Sequence, residues 1–366
     1  MQTLSFNIIQ ETFQQLLREH PKGVSAQLVV NYQGERVVDL HGSAPHTPAN
    51  TPETAYLTFS VSKGFTTLAI LKLLDEGLLE LDVPIANYWP AFGQKGKQSA
   101  TIRHALLHQA GIPAPHLYTQ IPLWPFWDLV TRRVASYQPV YPPGTQTAYH
   151  LVNFGFILGE VVQRVTGMPI DQYLATHFFE PMGLNQIWMK VPPQVENTLP
   201  RVISMSDSMR NTAWLFNRHL IRRALIPAAG LHSNARGMAA VFQMLLDGGE
   251  YQGIPYLKPE TIATAASSQY DGYDAYVRAN MNWGLGFIMG GGQHRDPDPR
   301  LRSMGCGSSA ATFGSFGMGT CMVWADRTAG MVIAFTTNGM LSDRAAGQRW
   351  ATISNAAWDA IQSCKE

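Results

Sequence analysis

Apolar residues recur at helical spacing near the amino terminus, at Phe6, Ile9, Phe13, Leu16 and Leu17. That spacing predicts a helix buried along one face. Pro21-Lys22-Gly23 stops it. The runs Ala26–Tyr32 and Arg36–Leu40 then flank Gln33-Gly34-Glu35, which reads as a β-hairpin. A polar, proline-rich loop spans Gly42 to Thr54. After Ser60, the residues Leu68, Ile70, Leu71, Leu73 and Leu74 fill a buried helix that Gly77 ends. Asp82-Val83-Pro84 and Tyr88-Trp89-Pro90 are loop signals. From about Thr101 to Arg223 the pattern is mostly helical, broken by loops such as Pro142-Pro143-Gly144. Asn234 to Leu246 predicts another amphipathic helix, followed by the turn Asp247-Gly248-Gly249.

The last third changes character. Trp283–Ile288, Cys321–Trp324 and Met331–Phe335 read as strands, the last two joined by a turn at Asp326 to Gly330. A closing helix runs from about Ala346 to Ile361. Strands at both ends with helices between predict an α+β fold. One antiparallel sheet is assembled from both chain ends and flanked by the terminal helices, with a mainly helical region inserted. The expected division is residues 1–75 with 230–366 for the sheet and 76–229 for the helical part. Sheet and insert would meet in a cleft, where sites usually form.

Composition narrows the function. The chain has 366 residues, 45% of them hydrophobic and 14% charged, with 27 basic against 26 acidic side chains. A core is affordable at that length. A net charge of +1 gives no field for nucleic acid or anionic membrane. The start, Met1 to Asn7, lacks the basic leader and apolar stretch of a secretory signal. No window has the uninterrupted apolar length of a membrane span. Cys306, Cys321 and Cys364 are odd in number and lack metal-type spacing. A cytoplasmic, reduced protein without structural disulfides, metal or cofactor is the expectation.

The chemistry starts at Ser60-Val61-Ser62-Lys63, which opens the predicted buried helix. Three residues apart, hydroxyl and amine lie on one helical face. A partly desolvated lysine can lose its proton and take the one on the serine, making the serine a nucleophile. Roughly one such match is expected by chance in a chain of this length, so partners decide its meaning. Tyr149 follows a proline-glycine turn and precedes an apolar helix, Phe154 to Val165. Beside a lysine it can serve as acid or base, or simply pack. Gly314-Ser315-Phe316-Gly317-Met318-Gly319-Thr320 comes just before a strand, and such glycines let an acyl group approach the backbone.

In this order the three elements resemble the class C β-lactamase and penicillin-binding-protein superfamily, and within it the family VIII carboxylesterase branch. The likeness covers nearly the whole chain, including Leu73–Gly77, Thr101–Pro113, Gly155–Val162 and Pro227–Leu231. It implies a β-lactamase/transpeptidase-like fold with Ser60 as nucleophile and Lys63 with Tyr149 as general base and acid. The N–H groups of Ser60 and Met318 would form the oxyanion hole. Two departures point away from β-lactams. Relatives often carry Tyr-x-Asn where Leu151 stands, with Asn153 either replacing that asparagine or not. They usually carry Lys or His where the neutral Ser315 stands, a weaker contact for a carboxylate.

The expected activity is serine esterase action on small, uncharged carboxylic esters, through an acyl-enzyme that water or another acceptor resolves. A β-lactamase or D-amino-acid peptidase is the alternative within enzymes; a catalytically inactive binding homologue is the alternative outside them. His150, Ser315, Phe316, Gly317 and Trp124 are candidate substrate contacts. His150 would tune Tyr149 or touch substrate. Trp124, Phe126 and Trp127 are divided evenly between acyl pocket and core. His104 and His108 favour a structural role over zinc, since no third ligand is evident. The stretch Gly290 to Arg300 reads as a surface connection that could border the cleft.

Overall fold

The computed structural model describes residues 6–113, 117–291 and 296–362. Helix α1 (Asn7–Arg18) buries Ile9, Phe13 and Leu17 along one face. Strands β1 (Ser25–Tyr32) and β2 (Glu35–Ser43) form the predicted hairpin. Its turn residues Gln33 and Gly34 have φ of 53° and 82°. Two left-handed residues give the twist that matches the flanking strands. Helix α2 (Ser62–Asp75) follows a short 3-10 turn over Phe59–Val61. Nearly all of α2 is buried, which explains a sequence apolar on every side. Gly77 takes φ 69° just beyond its end.

The intervening helices include α3 (Ile102–Leu106), α4 (Trp127–Ala135), α5 (Asn153–Thr166) and α6 (Arg210–Phe216). Helix α7 (Ala235–Leu246) is capped by Asn234, whose Oδ1 accepts the Gly237 N–H at 2.7 Å. The rest of the sheet is β3 (Tyr270–Asp274), β4 (Ala279–Trp283), β5 (Ile288–Met289), β6 (Thr312–Gly317), β7 (Cys321–Asp326) and β8 (Met331–Thr337). Helix α8 (Asp343–Gln362) closes the chain.

These eight strands form one antiparallel sheet in the order β2-β1-β8-β7-β6-β5-β4-β3, so strands from the two chain ends pair within it, β1 beside β8. Alternation sorts their side chains. Leu28, Trp324, Ile333 and Phe335 face the layer of α1 and α8. Val29, Val323, Val332 and Ala334 face the larger core that holds α2 and α7. With both faces covered, the central strands are apolar throughout. Trp324 lies flat on Trp358 at 5.4 Å and donates its N–H to Ser354 at 3.0 Å, so its polar atom is satisfied.

Three sequence expectations change. Trp283–Ile288 is two strand ends around a corner, because Gly286 sits at φ 75° and Trp283 pairs back to Ile288. Asn234–Leu246 is not amphipathic but buried on nearly every side, being wedged between the sheet and neighbouring elements. The glycine run does not merely precede a strand: residues 312–317 are strand β6, and its glycines serve close packing. A Cβ at Gly317 would collide with the carbonyl of Thr58. Gly317→Ala therefore has to push β6 off the Ser60 turn. It should cost roughly 1–3 kcal/mol in urea unfolding, accompanied by loss of whatever activity the adjacent site carries.

Candidate active site

The Ser60 turn is fixed by the backbone on both sides. The Thr58 N–H donates to Leu231 O at 2.8 Å, and Cys321 Sγ approaches Thr58 O at 2.8 Å. Ser315 Oγ donates to Ser60 O at 3.2 Å. Between these anchors Phe59 adopts φ 44°, a left-handed conformation that costs a non-glycine residue roughly 1–2 kcal/mol. Its buried ring, edge-on to Phe216 at 4.8 Å, offsets that strain. The side chain of Ser60 is thereby delivered at the mouth of α2.

Lys63 is 3% exposed. Its Nζ lies 3.2 Å from Ser60 Oγ, 3.1 Å from Ala228 O and 4.6 Å from the centre of the Tyr149 ring. Among the described residues no carboxylate pairs with it. The ring face favours an ammonium by about 0.5–2 kcal/mol. Stripping its water costs several kcal/mol. Burial wins and holds the lysine pKa well below its ordinary value. Its Nζ donates to Ala228 O and lies within hydrogen-bond reach of the Ser60 hydroxyl.

Tyr149 precedes α5 in irregular backbone. Its N–H donates to Asp274 Oδ1 at 3.1 Å, and the same oxygen accepts the N–H groups of Tyr276 and Val277 at 2.9 and 3.0 Å. The ring stacks on Trp283 at 5.8 Å and meets His108 at 4.6 Å. Burial pushes the phenol above its usual pKa, with the Ser60 side chain pulling the other way. Burial thus favours the uncharged form of both groups, the Tyr149 phenol and the Lys63 amine.

The tentative contacts separate. Met318, Leu151 and Ser60 line two adjoining apolar lobes of about 260 and 330 Å³, both open to solvent. Tyr149 and Phe316 line the first; Trp124 and Phe216 line the second. Gly317 contributes close packing, and the Ser315 hydroxyl is engaged with the Ser60 carbonyl. His150 is buried and faces neither lobe. Its Nε2 accepts the Ile112 N–H at 3.1 Å and its Nδ1 lies 2.7 Å from Ala148 O. Burial lowers its pKa to about 4, so it is neutral, with the proton on Nδ1. It organises the Tyr149 loop from behind. His108 does likewise through Nδ1, which accepts the His150 N–H at 3.1 Å.

His104 closes a capping box with Thr101 at the start of α3. Asn153 donates to Ile112 O at 2.7 Å and accepts from Gln120 at 2.8 Å, which engages it away from Ser60. Phe126 is exposed, and the Trp127 N–H donates to Glu160 at 2.7 Å, so of the three aromatics only Trp124 faces the site. Within Gly290–Arg300, residues 292–295 lie outside the described residues, but Arg300 borders the first lobe. Cys306 and Cys321 are free thiols, and Cys364 lies outside the described residues.

Sequence reasoning missed Asp274, Phe59 and Asp343. Only Asp274 left a signal, as an aspartate two residues before Tyr276 in a turn. Among the described residues no helix is long and apolar enough to cross a membrane. Nor does any group of three or more His, Cys, Asp or Glu there have metal-holding geometry.

Comparison with known proteins gives the family and the fold. Residues 13–357 match the Beta-lactamase family, and the chain belongs to it. It is a hydrolase fold with a large antiparallel sheet and esterase and penicillin-binding relatives. The chain is 27% identical to the esterase/beta-lactamase LipL of Mycobacterium tuberculosis, over 86% of this chain and 77% of that protein. It superposes with TM-score 0.83 on a family VIII carboxylesterase, 28% identical, covering 97% of each chain. The same score relates it to a penicillin-binding protein homologue from Caulobacter crescentus, 27% identical, again over 97% of both.

Asp274→Ala removes one acceptor from three backbone N–H groups. At roughly 1–3 kcal/mol per stranded donor, it should lose about 3 kcal/mol or more in chemical denaturation. Asp274→Asn keeps an acceptor oxygen and should lose less than half as much.

Proposed function

We propose that this protein is a cytoplasmic serine esterase acting on small carboxylic esters with uncharged acyl groups. The observation that carries the reading is a buried lysine, unpaired with any described carboxylate, 3.2 Å from a serine hydroxyl at the mouth of an apolar cleft. Lys63 takes the Ser60 proton as Ser60 Oγ bonds to the ester carbon. The carbonyl oxygen becomes an oxyanion held by the N–H groups of Ser60 and Met318. As the carbon–alkoxy bond breaks, Tyr149 gives its proton to the leaving oxygen and recovers one from Lys63. Water then attacks the acyl-enzyme by the same steps in reverse.

The donor must reach the leaving oxygen, so the alcohol belongs in the Tyr149 lobe. The acyl chain then belongs in the Trp124 lobe. Engagement of the Ser315 hydroxyl with Ser60 O, and Leu151 in place of an amide, leave a β-lactam carboxylate and acylamide poorly served. The free thiols fit a reducing compartment.

Ser60→Ala should abolish hydrolysis of p-nitrophenyl butyrate. Retained activity in pure variant protein sinks the reading, and nitrocefin turnover matching ester turnover replaces it with the β-lactamase alternative.

The active forms are neutral Lys63 and protonated Tyr149. Activity should rise with pH through the lowered lysine pKa and then stay level to about pH 10, since the tyrosine is raised above that ordinary value. An alkaline fall in kcat/KM beginning near pH 8 contradicts this assignment. Lys63→Arg, permanently charged, should lose about 10²–10⁴-fold at every pH.

A further inference from the structure

The Tyr149 lobe has a composition that a neutral alcohol does not call for. Rings of Tyr149, Tyr276, Trp283, Phe316 and Trp350 line it, together with the carboxylate of Asp343. Tyr149 stacks on Trp283, and Phe316 packs on Trp350 at 5.3 Å, so ring faces and edges wall a concave space. Aromatic faces attract cations, most strongly when the cation sheds water and holds no tight hydrogen bond of its own. A carboxylate at the rim adds a Coulomb term of the same sign.

The other charges around the lobe point the same way. Arg300 borders it, but Asp298 takes its Nε–H at 2.8 Å and Asp296 and Asp343 lie within its field. Arg344 is near Asp298, and Asp274 and Asp343 both act on Tyr149. Of these charged groups Asp343 and Arg300 line the lobe itself. An anion entering here finds the guanidinium already paired with Asp298. A cation meets ring faces and the Asp343 carboxylate.

We infer that the aromatic lobe takes an alkylammonium head, so that the preferred substrates are esters of a cationic amino alcohol. This rests on the esterase reading for its catalytic part, since the ammonium is carried by the leaving alcohol that Tyr149 protonates. The bond changes are those already described, and no further reactant is needed. Asp343 also sits in the first turn of α8, where an acid favours the helix. That role is blind to charge on the substrate, which the test exploits.

Butyrylcholine and 3,3-dimethylbutyl butyrate have the same shape and differ by one positive charge. The wild-type protein should show kcat/KM about 10-fold higher for the choline ester. Asp343→Asn should reduce that ratio toward about 2, and added salt should weaken it. A wild-type ratio of one or less overturns the inference.

Calorimetric titration of tetraethylammonium into Ser60→Ala protein reads the lobe without catalysis. Saturable binding, weakened in the Ser60→Ala/Asp343→Asn double variant, supports the ammonium site. Absence of binding with neutral esters still cleaved by wild type defeats the inference alone. Neither ester cleaved, with the ammonium still bound, defeats the esterase reading and leaves the cation site standing.

Discussion

The contact on which the site depends is the close approach of β6 to the turn that carries Ser60. Gly317 permits it, because any side chain there would strike the Thr58 carbonyl. Once the two backbones are that near, Ser315 reaches the Ser60 carbonyl and Cys321 reaches Thr58. The sheet, assembled from both ends of the chain, thereby becomes the wall against which Ser60 is set. Met318, one residue past the strand, lands beside Ser60 for the same reason.

Lys63 shows how a fold sets protonation without a charged partner. Opposing effects act on its amine: ring face and carbonyl stabilise the charge, while desolvation penalises it. The last is several-fold larger. A carboxylate within reach would reverse the outcome and leave an ammonium that accepts no proton. Packing α2 in the middle of the molecule is what lowers the proton affinity of the amine.

Much of this was legible in the chain. The hairpin, the buried helix after Ser60, the central strands and the terminal helices followed from periodicity, because each has one dominant packing environment. The Ser60, Lys63 and Tyr149 set was visible as motif order. Other features were not. The corner at Gly284 to Phe287 reads as an apolar run, and only tertiary contact with Thr67 reveals the turn. His150 looked chemical because it adjoins Tyr149, but adjacent residues need not point the same way, and its ring is bound behind the loop. Asp343 reaches the cleft from a distant part of the chain, and no local spacing announces that.

Phe59 carries a consequence beyond aiming the serine. Its left-handed backbone is one residue from the nucleophile, while its ring is edge-on to Phe216, which in turn lies 6.0 Å from Trp124. A chain of ring contacts therefore links the wall of the second lobe to the backbone beside Ser60. On the esterase reading, a group that wedges Phe216 aside would press on that strained turn and shift the serine oxygen. Size selection in that lobe would then act through torque on Ser60 as well as through space.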